Sequence, residues 1–186
     1  MGRLVYMMNV SLDGFVETPA HGLDWTTSDD ELLGWFADQE RAASAFLYGR
    51  RLYETMAAYW PGYASDPHAT PAMLEFGRIW NPKPKVVFSS TLSEVAHNSR
   101  LVRGDPVEEL ARLRSEFDGE LHVGGPTLAA TFVQRDLVDG YRLVVHPVVL
   151  GAGTPFWPAL DRPIRLRLAG TSRLASGATV LDYVRA

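Results

Sequence analysis

The stretch "LHVGGPTL" (Leu121–Leu128) begins as a buried strand and ends as the start of a helix. Gly124, Gly125 and Pro126 occupy the handover. Glycine reaches backbone conformations closed to other residues and lets a neighbour approach without a Cβ in the way. Proline suits the first helical position, where its missing N–H would be unpaired anyway. The turn is either a tight connection or a seat for something that touches the backbone. Its strand–turn–helix order points to an α/β fold, and the rest of the chain repeats that order.

Before it, "RLVYMMNV" (3–10) reads as a first buried strand and "SLDGFVETPAHGLDW" (11–25) as a loop. "SDDELLGWFADQERAAS" (28–44) reads as a helix with Leu32, Leu33, Phe36 and Ala43 on one side. Ser28 and Glu31 have the Ser-x-x-Glu spacing of a capping box, and acids favour a helix N-terminus. "AFLYG" (45–49) reads as a strand, "RRLYETMAAY" (50–59) as a helix, "TPAMLEFGRIW" (70–80) as a short helix and "KVVFSS" (85–90) as a strand. In "DPVEELARLRSEF" (105–117), Asp105 caps, Pro106 opens the helix, Glu108 completes a capping box, and Leu110, Leu113 and Phe117 face inward.

After the opening stretch, "YRLVVHPVVLG" (141–151) reads as one long strand. The C-terminal segment reads as two strands joined by a turn at Ser176 and Gly177. Strands and helices alternate and strands alone close the chain. The expectation is a mainly parallel sheet covered by helices, with an antiparallel C-terminal edge, in one domain over residues 1–186.

A formal net charge of -4 gives no global pull toward nucleic acid or an anionic membrane. The chain has no cysteine, which excludes disulfides and thiolate chemistry and fits a cytoplasmic protein. The most apolar run, "LVVHPVVLGAG", is broken by His146 and Pro147 and is too short to span a bilayer. The histidines at 21, 68, 97, 122 and 146 lie far apart, so no metal site is expected, and His122 and His146 read as packed strand residues. No Gly-x-Ser-x-Gly elbow is present.

In open α/β sheets, ligands sit at the carboxyl ends of strands. Three such ends carry groups that suit phosphate. Gly49, Arg50 and Arg51 place two guanidinium groups on the first turn of a helix, where positive charge opposes the helix dipole unless an anion is bound. The alternative is two exposed arginines. Ser89 and Ser90 offer hydroxyls, or simply form a turn. Gly124 and Gly125, then Pro126, Thr127 and Leu128, lead into a helix with free N–H groups.

Taken in order, "VSLDGFV" (10–16), "LYGRRLYE" (47–54), "VVFSST" (86–91), "LHVGGPTL" (121–128) and "HPVVLGAGTPFW" (146–157) resemble the dihydrofolate-reductase-like superfamily. They are most similar to the branch of the riboflavin-biosynthesis reductase C-terminal domain. The resemblance covers nearly the whole chain. It implies a three-layer α-β-α fold with a mostly parallel central sheet, and an NADPH-dependent reductase that passes hydride to a small heterocycle. The cofactor residues would be Gly49, Arg50, Arg51, Ser89, Ser90, Val123, Gly124, Gly125, Pro126, Thr127 and Leu128, with a cis peptide between Gly124 and Gly125.

The same resemblance places Leu32 where dihydrofolate reductases carry their pterin-gripping carboxylate. Asp13 is the carboxylate placed near the nicotinamide, or else the first half of an Asp-Gly turn. Trp25 and Met56 would line the substrate pocket, or belong to the core. A homodimer through the C-terminal strands is expected. The alternatives are a non-enzymatic protein that binds a nucleotide or flavin-like ligand, and a true dihydrofolate reductase.

Overall fold

A computed structural model of the chain describes residues 1–63 and 66–186. Eight strands form one sheet and two short strands form a second. In chain order the elements are β1 (Arg3–Ser11), β2 (Phe15–Glu17), α1 (Asp30–Ala42), β3 (Ala43–Gly49), α2 (Arg50–Tyr63), α3 (Pro71–Trp80), β4 (Lys85–Phe88) and β5 (Ser99–Val102). Then come α4 (Pro106–Glu116), β6 (Glu120–Gly124), α5 (Pro126–Val133), β7 (Gly140–His146), β8 (Thr154–Pro155), β9 (Leu166–Arg173) and β10 (Thr179–Arg185).

The large sheet runs β5-β4-β3-β6-β1-β7-β10-β9. The first six strands in that order are parallel to their neighbours, and β10 turns antiparallel against both β7 and β9. The chain thus has the dihydrofolate-reductase-like α/β architecture, with its antiparallel edge at the C-terminus. The order also sets the position of any site. Because β4, β3, β6, β1 and β7 are parallel, their carboxyl ends form a single row.

Alternation of side chains along each strand separates two cores. On one face, Leu4, Tyr6 and Val10 of β1 pack with Leu110 and Leu113 of α4 and Leu128 and Phe132 of α5. On the other, Phe46 and Tyr48 of β3 and Val87 of β4 pack with Tyr53 of α2 and Phe76 and Trp80 of α3. A smaller cluster joins Leu32 of α1 to Val144 and Val180. The central strands are buried on both faces, which is why they read as near-continuous apolar runs.

Several boundaries depart from the sequence reading. Helix α1 is capped by Asp29, whose carboxylate accepts from Leu32 N, and not by Ser28. Glu31 accepts from Ala175 N in the β9–β10 turn, so the acid expected to close a local capping box ties two elements together. Asp105 does cap α4, accepting from Val107 N and Glu108 N. Ala43 lies in β3 rather than on the helix face. Strand β7 stops at His146, because Pro147 has no N–H to extend the ladder. Helix α2 continues through Pro61 to Tyr63, where Tyr59, Trp60 and Tyr63 stack and Trp60 packs on Phe76 at 4.2 Å. Ser89 and Ser90 lie beyond the end of β4. Strand β5, only four residues and partly exposed, carries too little pattern to be read from sequence.

Among the described residues, no helix is long and apolar enough to cross a membrane.

Candidate functional site

The row of strand ends opens into a cleft of about 710 Å³. The three phosphate-compatible turns, distant in sequence, all line it. Gly49, Arg50 and Arg51 come from the β3–α2 junction, Ser89 and Ser90 follow β4, and Gly125, Pro126, Thr127 and Leu128 come from the β6–α5 junction.

The β6–α5 turn is made by backbone conformation. Gly125 takes φ 88° and ψ 126°, a region that side chains with a Cβ rarely adopt. All peptide bonds among the described residues are trans, so the cis bond expected between Gly124 and Gly125 is not present. The left-handed Gly125 turns the chain instead. Gly124 has a different reason to be glycine: a Cβ there would stand 2.5 Å from Leu52 Cδ2 and 3.5 Å from Tyr48. Gly125 N points at Met8 Sδ, 3.3 Å away, which fixes the turn against β1. Thr127 and Leu128 then begin α5, and helix geometry leaves their N–H groups without acceptors inside the helix.

At the β3–α2 junction both arginines stand on the first helical turn, which has no acid. They differ in what holds them. Arg51 Nη2 donates to Glu17 Oε1 at 2.8 Å, and the same oxygen accepts from Thr154 Oγ1 at 2.6 Å. His21 Nδ1 lies 2.9 Å from that oxygen and 2.7 Å from Arg51 Nη1, so it donates to one or accepts from the other. Burial works against ionisation of Glu17, but its hydrogen bonds to Thr154, His21 and Arg51 hold the carboxyl below its ordinary value. Arg50 has no ion-pair partner among the described residues.

Ser89 uses its hydroxyl locally, accepting from Thr91 N and Leu92 N, which is the turn-forming role. Arg103 lies beside it. Its guanidinium donates to Ser90 O and Leu92 O and lines the cleft with Gly104. Arg103, Glu17, His21 and Thr154 escaped the sequence reading. Arg103 follows the inconspicuous β5, and the other three meet Arg51 only through tertiary contacts.

Other expected residues stand elsewhere. Val123 is buried within β6 and does not line the cleft. Asp13 is exposed at its side and is fully engaged. Its Oδ1 accepts from Ser11 Oγ at 2.7 Å and Leu150 N at 3.0 Å, and its Oδ2 accepts from Gly151 N at 2.7 Å. The Ser11 hydrogen bond leads in holding this carboxyl below its ordinary value, helped by the two backbone donors against some desolvation. Asp13 therefore clamps the loop after β7 as an anion. Met56 accepts from Trp60 Nε1 at 3.2 Å and packs with the α2–α3 aromatic cluster. Trp25 meets His146 edge-on, on the α1 face of the sheet. The family's carboxylate position is filled by Leu32, 2% exposed, and the neighbouring acids are occupied: Asp29 caps α1 and Asp30 accepts from Thr70 Oγ1.

The chain matches the model of the RibD C-terminal domain over residues 3–180 and belongs to that family. It is 30% identical over 182 residues to the uncharacterized protein YyaP of Bacillus subtilis (strain 168), covering 97% of this chain and 94% of that protein. Among solved structures, a protein from Shewanella sp. PV-4 assigned to riboflavin biosynthesis superposes with a TM-score of 0.77 at 20% identity, covering 99% of each chain. Dihydrofolate reductase from Enterococcus faecalis, solved in complex with NADP(H), superposes with a TM-score of 0.66 at 16% identity, covering 99% of this chain and 96% of that one. The relationship is thus to reductase domains, and the likeness to the solved structures is one of fold.

Proposed function

We propose that the chain is an NADPH-dependent reductase of a small heterocyclic substrate. The observation that carries this reading is the convergence of Arg50, Arg103 and the first turn of α5 on one cleft at the carboxyl ends of β3, β4 and β6. The donor set suits an extended, multiply phosphorylated cofactor. Guanidinium groups fork onto phosphate oxygens, free N–H groups at a helix start favour an anion, and Gly49 and Gly125 admit close approach. Arg50, Arg103 and the Ser90 hydroxyl would take the phosphate of the adenosine end. Thr127 and Leu128 would take the pyrophosphate through their N–H groups.

The bound cofactor would supply hydride for reduction of a polarised C=N or C=O group. The protein's part is to hold the donor end near Met8, to exclude water there, and to orient the acceptor. Asp13 is committed to the loop as an anion, so solvent is the source of the proton. With Leu32 in the core and Asp29, Asp30 and Glu31 all engaged, folate reduction has no carboxylate to rest on. The engaged Asp13 also favours a second reading, a protein that binds the same ligand without turning it over.

Titration of the purified protein with NADPH, followed by nicotinamide fluorescence, tests the cofactor. Saturable micromolar binding is expected, and no binding at millimolar concentration would reject the proposal. Oxidation of bound NADPH by any member of a pteridine, pyrimidine and quinone panel separates the reductase from the binding protein.

A further inference from the structure

The row of strand ends does not stop where the cleft does. After β4, β3 and β6 come β1 and β7. Asn9 of β1 pairs in register with Val144, whose side chain packs on Leu32 of α1, and His146 stands two residues further on the same face. There His146 Nε2 lies 2.9 Å from Asn9 Oδ1. His146 is 1% exposed, yet its Nδ1 has no hydrogen-bond partner among the described residues. The indole of Trp25 meets the imidazole at a centroid distance of 5.5 Å and an interplanar angle of 87°. Trp25 Nε1 is also buried without a partner.

Leaving a buried polar atom unpaired costs about 1–3 kcal/mol, so two on adjoining side chains suggest that a third party is meant to complete them. Asn9 sets the roles. With Nε2–H donating to Asn9 Oδ1, His146 Nδ1 is an acceptor, whereas an indole N–H can only donate. Burial keeps this imidazole below its ordinary pKa, against the opposing charge of Asp29, which favours the neutral ring. The site therefore offers one acceptor and one donor, close together, on aromatic side chains.

We propose that His146, oriented by Asn9, and Trp25 form the recognition edge of the substrate compartment, and that they read a flat nitrogen heterocycle bearing an N–H beside a C=O. The ring N–H donates to His146 Nδ1 and the ring carbonyl accepts from Trp25 Nε1. The inference rests on the reductase reading for the chemistry that follows, but not for the binding. Trp25 lies between β2 and α1, outside any helix or strand, so it can yield to a ligand without disturbing the sheet.

The test uses the intact, isotope-labelled chain without cofactor. The probes are lumazine, a pteridinedione, and dimethyllumazine, in which methyl groups replace both ring N–H groups. Lumazine should shift the His146 ring-nitrogen and Trp25 indole N–H resonances, and dimethyllumazine should bind about tenfold more weakly, the loss of one hydrogen bond. His146→Phe should lower lumazine affinity about tenfold and leave dimethyllumazine unchanged. If that variant does not fold, the resonances and probe selectivity of the unaltered chain decide. Equal affinity for the two probes, unmoved His146 and Trp25 resonances, or a buried water found on His146 Nδ1 in the complex would each overturn the proposal. A parallel NADPH titration keeps the two readings apart: probe selectivity without NADPH binding removes the reductase and retains the recognition edge, and the reverse pattern does the opposite.

Discussion

Arg51 is held by Glu17, with Nη2 2.8 Å from Oε1, while Arg50, its neighbour in sequence, has no such anchor among the described residues. Two adjacent arginines on one helical turn therefore differ in what they have left for a ligand. Arg50 keeps its full donor set for phosphate. Arg51 spends part of its fork linking α2 to the β2–β8 pair through Glu17 and Thr154.

Arg50→Ala should therefore weaken NADPH binding more than Arg51→Ala does. A charge-assisted hydrogen bond is worth about 1.5–3 kcal/mol, so the loss at Arg50 is roughly tenfold or more in Kd. Fluorescence titrations at matched ionic strength give the comparison. Equal losses for both variants would show that Arg51 leaves Glu17 when the ligand binds.

Gly125 should tolerate no side chain. At φ 88°, alanine costs about 1–3 kcal/mol of backbone strain. Gly125→Ala should lower Tm by several degrees in thermal unfolding, whereas Gly49→Ala, whose Cβ meets only Leu128 Cβ at an ordinary 3.7 Å, should lower it much less.

A charged cluster beneath the sheet should make stability depend on pH from both sides. His122 Nε2 lies 3.0 Å from Glu120 Oε2, its Nδ1 is 3.4 Å from Glu40, and Arg142 grips both Glu120 oxygens. Burial opposes the imidazolium, but Glu120 and Glu40 outweigh it and raise the His122 pKa above the ordinary 6.5. The His122 and Arg142 hydrogen bonds bring Glu120 down from 4.5 to about 2, against its burial. The His122 contribution is complete below pH 6.5 and is lost as pH rises through the folded value. The Glu120 contribution is complete above 4.5 and is lost as pH falls toward about 2. Glu120→Gln should cost about 2–3 kcal/mol between those limits. Denaturant unfolding of this variant and of His122→Phe across the pH range checks the result, and flat differences from wild type would count against it.

Asp13→Asn should act on the loop and not on the proton. Replacing one acceptor oxygen by an amide removes a partner of Ser11, Leu150 or Gly151. Faster proteolysis or hydrogen exchange over residues 147–153 is expected, with the pH profile of turnover unchanged. A profile that loses an ionisation in Asp13→Asn would make Asp13 the proton donor after all.

The open edge of the large sheet is β9, whose Leu168 is 49% exposed. Unpaired edges invite a second strand, and we propose that two copies pair there. Light scattering at micromolar concentration should give twice the 20.6 kDa chain mass, and Leu168→Lys should return the monomer. A monomeric wild type removes the proposal.

How much of this was legible in the chain depends on the range of the forces involved. Periodicity and local turn chemistry are written along the sequence, so "LHVGGPTL", "YGRR" and the Asp105–Pro106 helix start could be read directly, and with them the α/β order and the antiparallel end. Ordered motifs carried the family resemblance as well. Only the tertiary structure decided that Gly125 turns by a left-handed φ with a trans bond, that Asp29 caps α1 and that Glu31 reaches Ala175. It also separated Arg50 from Arg51, added Arg103 to the cleft, and left His146 and Trp25 with unpaired polar atoms. These are contacts between residues up to 144 positions apart, as for Glu31 and Ala175, and no local pattern encodes which distant donor a side chain will meet.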